Sequence, residues 1–133
     1  MPVVVTAAET PLGRLVVRRL VADGAEVRAV VERAAGDLGV PTALATWDDA
    51  ERLGAVLEGA HTVVHLAAAK RWPDLLAAAE DSGIRRIVVV GSSAPGEAPY
   101  EVVVVPDPRR RWRTPPEVLE ALAAAVVEAD RRG

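Results

Sequence analysis

The chain has 133 residues, close to the commonest size of a single domain, so we expect one hydrophobic core and one ligand site. Half of the residues are hydrophobic, yet the aromatic residues are only three Trp and one Tyr, so Val, Leu, Ile and Ala must form the core, as in parallel strands that are buried on both faces. The net charge of −3 argues against nucleic acid or an anionic membrane as a partner, and the absence of cysteine excludes disulfides, thiolate catalysis and Cys-ligated zinc.

The N-terminal pattern is that of a short Val strand rather than a basic and apolar signal segment, and no apolar run approaches the roughly 20 residues of a membrane span. We therefore expect a cytoplasmic protein without a membrane partner. Two histidines are too few for a typical zinc cluster, so we expect no metal and interpret His61 and His65 as edge or core residues.

Short apolar runs alternate with helix-length amphipathic stretches, which is the pattern of repeated βαβ units. The first strand is predicted at Val3 to Thr6. Thr10 as N-cap and Pro11 at the first turn then begin a helix that stops at Asp23-Gly24. Further strands are predicted at Glu26 to Val31, Thr42 to Thr46, Thr62 to Leu66, Arg86 to Val90 and Val102 to Val105, and further helices at Asp48 to Glu58, Pro73 to Ser82 and Glu117 to Asp130.

Right-handed crossovers between these strands predict a doubly wound parallel sheet of about six strands in the order 3-2-1-4-5-6, with helices on both faces. The fold class is thus α/β, Rossmann-like, in three layers, and residues 1–133 form one domain. We expect the first strand to be central, and the ligand crevice to lie at the carboxyl ends of strands one and four.

The segment from Val3 to Leu20, VVVTAAETPLGRLVVRRL, resembles the first βα turn of the extended and atypical short-chain dehydrogenase/reductases, whose pattern is TGAxGxxG. That group includes NAD-dependent epimerases and NmrA-like proteins. The likeness continues, in order, through residues 24–31, 49–53, 57–67 and 82–93. The resemblance implies NAD or NADP as the cofactor and a dinucleotide site in the crevice.

In such a turn, glycines permit tight chain reversal, close approach of the backbone to pyrophosphate, and close packing of helix on strand. Here Ala7 takes the first glycine position, Thr10 takes the second, and only Gly13 matches. The resemblance places cofactor contacts at Ala7, Thr10, Leu12 and Gly13, where Thr10 can donate its hydroxyl to phosphate, whereas Glu9 brings a negative charge near it. The alternative is a capped helix that packs on a sheet without any ligand.

The resemblance assigns ribose recognition to Val31, Glu32 and Arg33, at the end of the second strand. A carboxylate there favours NAD and an arginine favours NADP, so the pair leaves the preference open; solvated charges are the alternative. Adenine is assigned to Thr46 and Trp47, although a Trp at this position is more often packing, and Ala67 at the end of strand four completes the predicted cofactor contacts.

Reductases and epimerases of this group use a Tyr whose pKa is lowered by a Lys four residues later, on a long helix between strands five and six. Ser93 matches the family's serine, but Val104 stands four residues after Tyr100, and Lys70 lies in another segment. Only a short connection joins strands five and six, and the substrate-binding region is reduced to one helix. NmrA-like members that lack the pair are redox-state sensors, and the chain resembles them in this respect.

The leading hypothesis is therefore an NAD(P)-binding module that is catalytically inactive or impaired and acts as a sensor or as part of an assembly. The alternatives are a protein-interaction domain that has lost the cofactor, and an active oxidoreductase or epimerase completed by a partner. A homodimer or partner contact is expected on a helix pair formed by Asp74 to Glu80 and the terminal helix. The basic run Arg109 to Arg113 is interpreted either as a clamp for phosphate, RNA or an acidic partner, or as a solvated loop.

Overall fold

The computed structural model describes residues 2–34, 36–66, 72–79, 82–91, 100–109 and 115–132. Strands and helices alternate as predicted, with end points that differ by at most three residues. In chain order the elements are β1 (Val3–Val5), α1 (Pro11–Ala22), β2 (Val27–Val31), β3 (Thr42–Leu44), α2 (Ala50–Leu57), β4 (Thr62–His65), α3 (Trp72–Ala79), β5 (Arg86–Val90), β6 (Glu101–Val105) and α4 (Pro116–Arg132).

The strands form one parallel sheet in the order β3-β2-β1-β4-β5-β6, which confirms the predicted Rossmann-like topology. β1 is central, since Val3 pairs with Val27 of β2 on one side and with Thr62 of β4 on the other. All three residues of β1 are buried, as expected for a strand that is covered on both faces.

Each face of the sheet packs against two helices. Alternate strand residues, such as Val5 and Val64, form one core with α1 and α4, whereas Val4 and Val63 form the other core with α2 and α3. The terminal helix and α3 therefore lie on opposite faces of the sheet. The prediction that they form a helix pair with a common exposed surface is wrong, because α4 follows the last strand and turns back onto the α1 side.

Two arginines at the amino ends of strands hold the carboxyl ends of helices. Arg28 of β2 donates to the carbonyl oxygens of Val56 and Glu58, at 2.9 and 2.7 Å, at the end of α2. Arg86 of β5, which is only 7% exposed, donates to the carbonyl oxygen of Asp130 at 2.7 Å near the end of α4. A cation at this end of a helix is favourable, because the last carbonyl groups have no partner within the helix.

Candidate functional site

The candidate site lies at the carboxyl edge of the sheet, where strand order reverses between β1 and β4. In open α/β sheets, ligands bind in the crevice at such a reversal. The described segments nearest this reversal are the turn from β1 to α1, the residues after β2, and the residues after β3 and β4.

The turn from β1 to α1 is closed by two hydrogen bonds to one carbonyl group. Thr10 donates to the carbonyl oxygen of Ala7 from its main-chain N–H at 3.1 Å and from its hydroxyl at 2.7 Å. The same hydroxyl caps α1 by accepting from the N–H of Gly13 at 3.1 Å. Its proton is thus directed at Ala7 in this structure, and the predicted donation from Thr10 to a phosphate stays a prediction that requires the hydroxyl to change partner.

Ala7 adopts a left-handed conformation, with φ of +52°. An L-residue with a Cβ is disfavoured there by roughly 1–2 kcal/mol, and glycine is the usual occupant. This is the first glycine position of the resembled motif. The backbone of the turn therefore keeps the shape that the motif's glycine normally permits, although the residue is alanine.

At Gly13, α1 packs directly against the main chain of this turn. A Cβ added there would lie 2.3 Å from the carbonyl oxygen of Ala7 and 2.7 Å from the Cα of Ala8, which are both main-chain atoms. No side chain fits without a shift of the helix. The side chain of Leu12 beside it is buried in the core, so any contact of Leu12 with a ligand would involve its main chain.

Glu9 reaches across from the turn to the end of β2. Its Oε2 atom accepts hydrogen bonds from the main-chain N–H groups of Glu32, at 2.7 Å, and Arg33, at 3.4 Å. The side chains of Glu32 and Arg33 are exposed at this edge. The carboxylate expected near the phosphate thus lies at the end of β2, beside the residues that were assigned to ribose.

Trp47 is 5% exposed and packs in the core that contains α2 and α3. Its ring meets that of His65 edge to face, with the ring centroids 5.4 Å apart. This burial favours the packing interpretation, while contact with adenine stays a prediction. Thr46 is exposed and donates its hydroxyl to Asp48. Ala67 lies outside the described residues.

A buried polar pair joins β1 and β4 at the point where strand order reverses. The hydroxyl of Thr6 lies 3.1 Å from Nδ1 of His65 and accepts from the N–H of Leu66 at 3.0 Å. Both side chains are at most 2% exposed, so the interpretation of His65 as a core residue is confirmed. The Thr6–His65 contact was missed in the sequence, although Thr6 directly follows β1, His65 ends β4, and the register pairs the residues before them, Val5 and Val64.

The remaining predicted residues are only partly within the described segments. Tyr100 is half-buried, and burial raises the pKa of its hydroxyl above the usual value of 10.0. Nη2 of Arg109 donates to Oδ2 of Asp107 at 2.8 Å, and the side-chain hydrogen bonding from Arg109 lowers the pKa of the Asp107 carboxyl. Ser93, Lys70 and residues 110–113 lie outside the described residues.

A model for a family of NAD(P)H-binding domains matches residues 8–132. The chain belongs to this NAD(P)H-binding family. A search of curated proteins finds no match to this NAD(P)H-binding domain. Over the described segments, no three His, Cys, Asp or Glu residues are grouped as a metal site would require, and no helix is both long and apolar enough to cross a membrane.

The solved structures that resemble this NAD(P)H-binding domain include Rossmann-fold proteins. A Rossmann-fold NAD(P)-binding family protein from Shigella flexneri has 12% sequence identity and a TM-score of 0.70, over 98% of this chain and 87% of that chain. A short-chain dehydrogenase/reductase superfamily protein from Agrobacterium tumefaciens, solved with NAD, has 23% identity and a TM-score of 0.62, over 100% and 46%. Triphenylmethane reductase from Citrobacter sp., solved with NADP(H), has 19% identity and a TM-score of 0.60, over 99% and 46%.

These likenesses confirm the Rossmann fold that the resemblance to short-chain dehydrogenase/reductases predicts. The family match supports NAD or NADP as the cofactor class of this domain. The chain spans less than half the length of the Agrobacterium and Citrobacter proteins. The activities of those longer proteins therefore do not transfer to this domain with the fold.

Proposed function

We propose that this chain binds NAD or NADP at the carboxyl edge of its sheet without performing hydride transfer by Tyr–Lys chemistry, and that it serves as a sensor or as a component of an assembly. The observation that carries the binding proposal is the close approach of Gly13 to the main chain of Ala7 and Ala8. Family membership over residues 8–132 supports the same cofactor class. The last glycine of the motif permits this packing, which places the first turn of the helix against the pyrophosphate.

The residues present fit the parts of a dinucleotide. The first turn of α1, with Thr10, Leu12 and Gly13, would face the pyrophosphate, because its N–H groups and the helix dipole favour negative charge. Glu32 and Arg33 would meet the adenosine ribose, and Thr46 would meet the adenine edge. When bound, the nicotinamide supplies hydride chemistry, and the protein's part is to bind and orient it.

The chemistry of Tyr100 supports a module without turnover. A Tyr that exchanges a proton near neutral pH needs a lowered pKa, whereas burial raises the pKa of Tyr100 and Val104 stands four residues later, where the family's Lys would be. Only ten residues, 91–100, separate β5 from β6 in the sequence, which is too short a stretch for the long helix that carries the family's pair.

We further propose that residues 1–133 act as one domain, that the protein is cytoplasmic, and that it works as a homodimer or with a partner protein. A sensor must pass its ligand state to another chain, so an interaction surface follows from the proposed role. Because α3 and α4 lie on opposite faces, such a surface would use one of them rather than both.

Calorimetric titration with NADH and with NADPH tests the binding proposal. We expect measurable binding of at least one of them to the parent chain and its loss in Gly13→Val. Gly54→Ala is the matched control, because a Cβ at Gly54 would meet only the carbonyl oxygen of Ala78 at an ordinary 3.5 Å. No nicotinamide turnover is expected with aldehydes, ketones or quinones, and turnover by the isolated chain would contradict the inactive assignment.

A second candidate is a protein-interaction domain that has kept the fold and lost the cofactor. The hydrogen bonds of Thr10 favour it, since its hydroxyl is already engaged by Ala7 and Gly13. Absence of heat with both dinucleotides, for a chain that melts cooperatively, would select this candidate.

A further inference from the structure

We infer that Glu9 makes this domain select NAD over NADP, because its carboxylate occupies the main-chain donors to which a 2′-phosphate would bind. The inference rests on the proposed dinucleotide binding and deepens it. It also addresses the conflict between Glu32 and Arg33, which point to opposite cofactors.

The geometry at the end of β2 is that of an occupied anion site. Two successive N–H groups, of Glu32 and Arg33, point at the single oxygen Oε2 of Glu9, at 2.7 and 3.4 Å. Successive main-chain N–H groups of this kind bind anions such as phosphate oxygens. In this chain the anion is part of the protein itself.

The position of this site relates it to the ribose of adenosine. In dinucleotide-binding sheets the ribose 2′ position lies against the residues that follow the second strand, where a carboxylate accepts from the 2′-hydroxyl of NAD or an arginine accommodates the 2′-phosphate of NADP. A 2′-phosphate would therefore compete with Glu9 for the same two donors. It would also come near the carboxylates of Glu9 and Glu32, and like charges repel; the guanidinium groups beside it belong to Arg33 and to Arg14, whose Nε is engaged by the carbonyl oxygen of Glu9.

Two neighbouring hydrogen bonds hold the turn that carries Glu9 in place. The N–H of Ala8 donates to the carbonyl oxygen of Val30 in β2 at 3.2 Å, which ties the turn to that strand. Nε of Arg14 donates to the carbonyl oxygen of Glu9 at 3.1 Å. The carboxylate therefore reaches the end of β2 from a turn that is fixed on both sides.

The test compares the affinities for NAD and NADP in the parent chain, Glu9→Gln and Glu9→Asp by calorimetric titration. We expect the parent to bind NAD at least about tenfold more tightly than NADP. Glu9→Gln should shift the ratio of the two affinities toward NADP by about tenfold, because a neutral amide holds the two N–H groups less strongly than a carboxylate and no longer repels the 2′-phosphate. Glu9→Asp keeps the charge and should keep the preference for NAD.

The matched control is Glu26→Gln, which removes the same charge next to the other end of β2, where Glu26 is exposed. It should leave the affinity ratio unchanged. A parent chain that binds NADP as tightly as NAD, or a Glu9→Gln variant that changes both affinities equally, would overturn the inference while leaving the binding proposal intact. Failure of every variant to bind either dinucleotide, with melting temperatures like that of the parent, would instead refute the proposed function together with the inference.

Discussion

At the scale of single residues, the strain in the turn from β1 to α1 is concentrated at Ala7, the one non-glycine residue with positive φ in the described part of the chain. Replacing it by glycine should raise the free energy of unfolding by about 0.5–1 kcal/mol, because relief of the left-handed conformation outweighs the added flexibility of the unfolded chain. Chemical denaturation measures the effect.

Ala8→Gly is the control for this prediction. Ala8 is fully buried and has an ordinary φ, so its replacement should lower stability instead. Equal effects of the two substitutions would show that the turn carries no conformational strain at Ala7.

Gly13 leads to the opposite expectation, because a Cβ added there would lie 2.3 Å from the carbonyl oxygen of Ala7 and 2.7 Å from the Cα of Ala8. Gly13→Ala should lower the free energy of unfolding by at least about 2 kcal/mol, which is typical of an overpacked core contact. Gly54→Ala lies within α2 and should instead raise it by roughly 0.5–1 kcal/mol through helix propensity. Thermal and denaturant unfolding of the two variants, measured in parallel, tests both expectations. A Gly13→Ala variant as stable as the parent would contradict the close packing.

Tyr100 has a raised pKa because it is desolvated, so the folded protein favours its neutral form. The stability that this group contributes is fully present below the pKa of the unfolded chain, near 10, and is lost as the pH rises through the folded pKa. Since Tyr100 is the only tyrosine, the ultraviolet absorbance of tyrosinate reports on it alone. We expect its midpoint to lie at higher pH in the native protein than in denaturant; coincident midpoints would contradict the burial.

At the scale of elements, the attachment of α4 to the sheet depends on Arg86. Its guanidinium donates to the carbonyl oxygen of Asp130 and lies 3.7 Å from the carboxylate of the same residue. Arg86→Met retains much of the side-chain volume and should cost about 1.5–3 kcal/mol, the range for a hydrogen bond to a charged group. Amide hydrogen exchange should accelerate first in α4.

Arg85→Met provides the comparison for Arg86→Met, because Arg85 is the preceding residue and is exposed. It should change stability by less than about 0.5 kcal/mol. An α4 whose exchange is unaffected by Arg86→Met would show that apolar packing against α1 is sufficient to hold it.

At the scale of the whole molecule, the order of the strands could be predicted because two kinds of information agree. The runs Val3–Val5 and Val88–Val90 are apolar on both faces, which identifies buried parallel strands, and right-handed crossovers then allow few orders. The side of the sheet chosen by α4 could not be predicted in this way, because this helix follows the last strand and closes no crossover.

The candidate site could be predicted only where it depends on local main-chain geometry. The matching glycine, Gly13, is identified by its spacing from β1, and the need for positive φ at Ala7 follows from the same motif. The contact of Glu9 with the end of β2 joins residues 23 and 24 positions apart through a flexible side chain, and no local pattern encodes it. The burial of Trp47 could not be predicted for the same reason, because it depends on how α2 and α3 pack over the ring.

The two arginines at the amino ends of β2 and β5 have a consequence for protein engineering. They fix the ends of α2 and α4 at the edge of the sheet that faces away from the crevice, so the stability that they contribute can be changed without touching the residues assigned to the cofactor. Energetic effects at such separated positions add within about 0.5 kcal/mol. A designer can therefore alter cofactor preference at Glu9 and offset any lost stability around Arg28 and Arg86, with each edge optimised in its own round of selection.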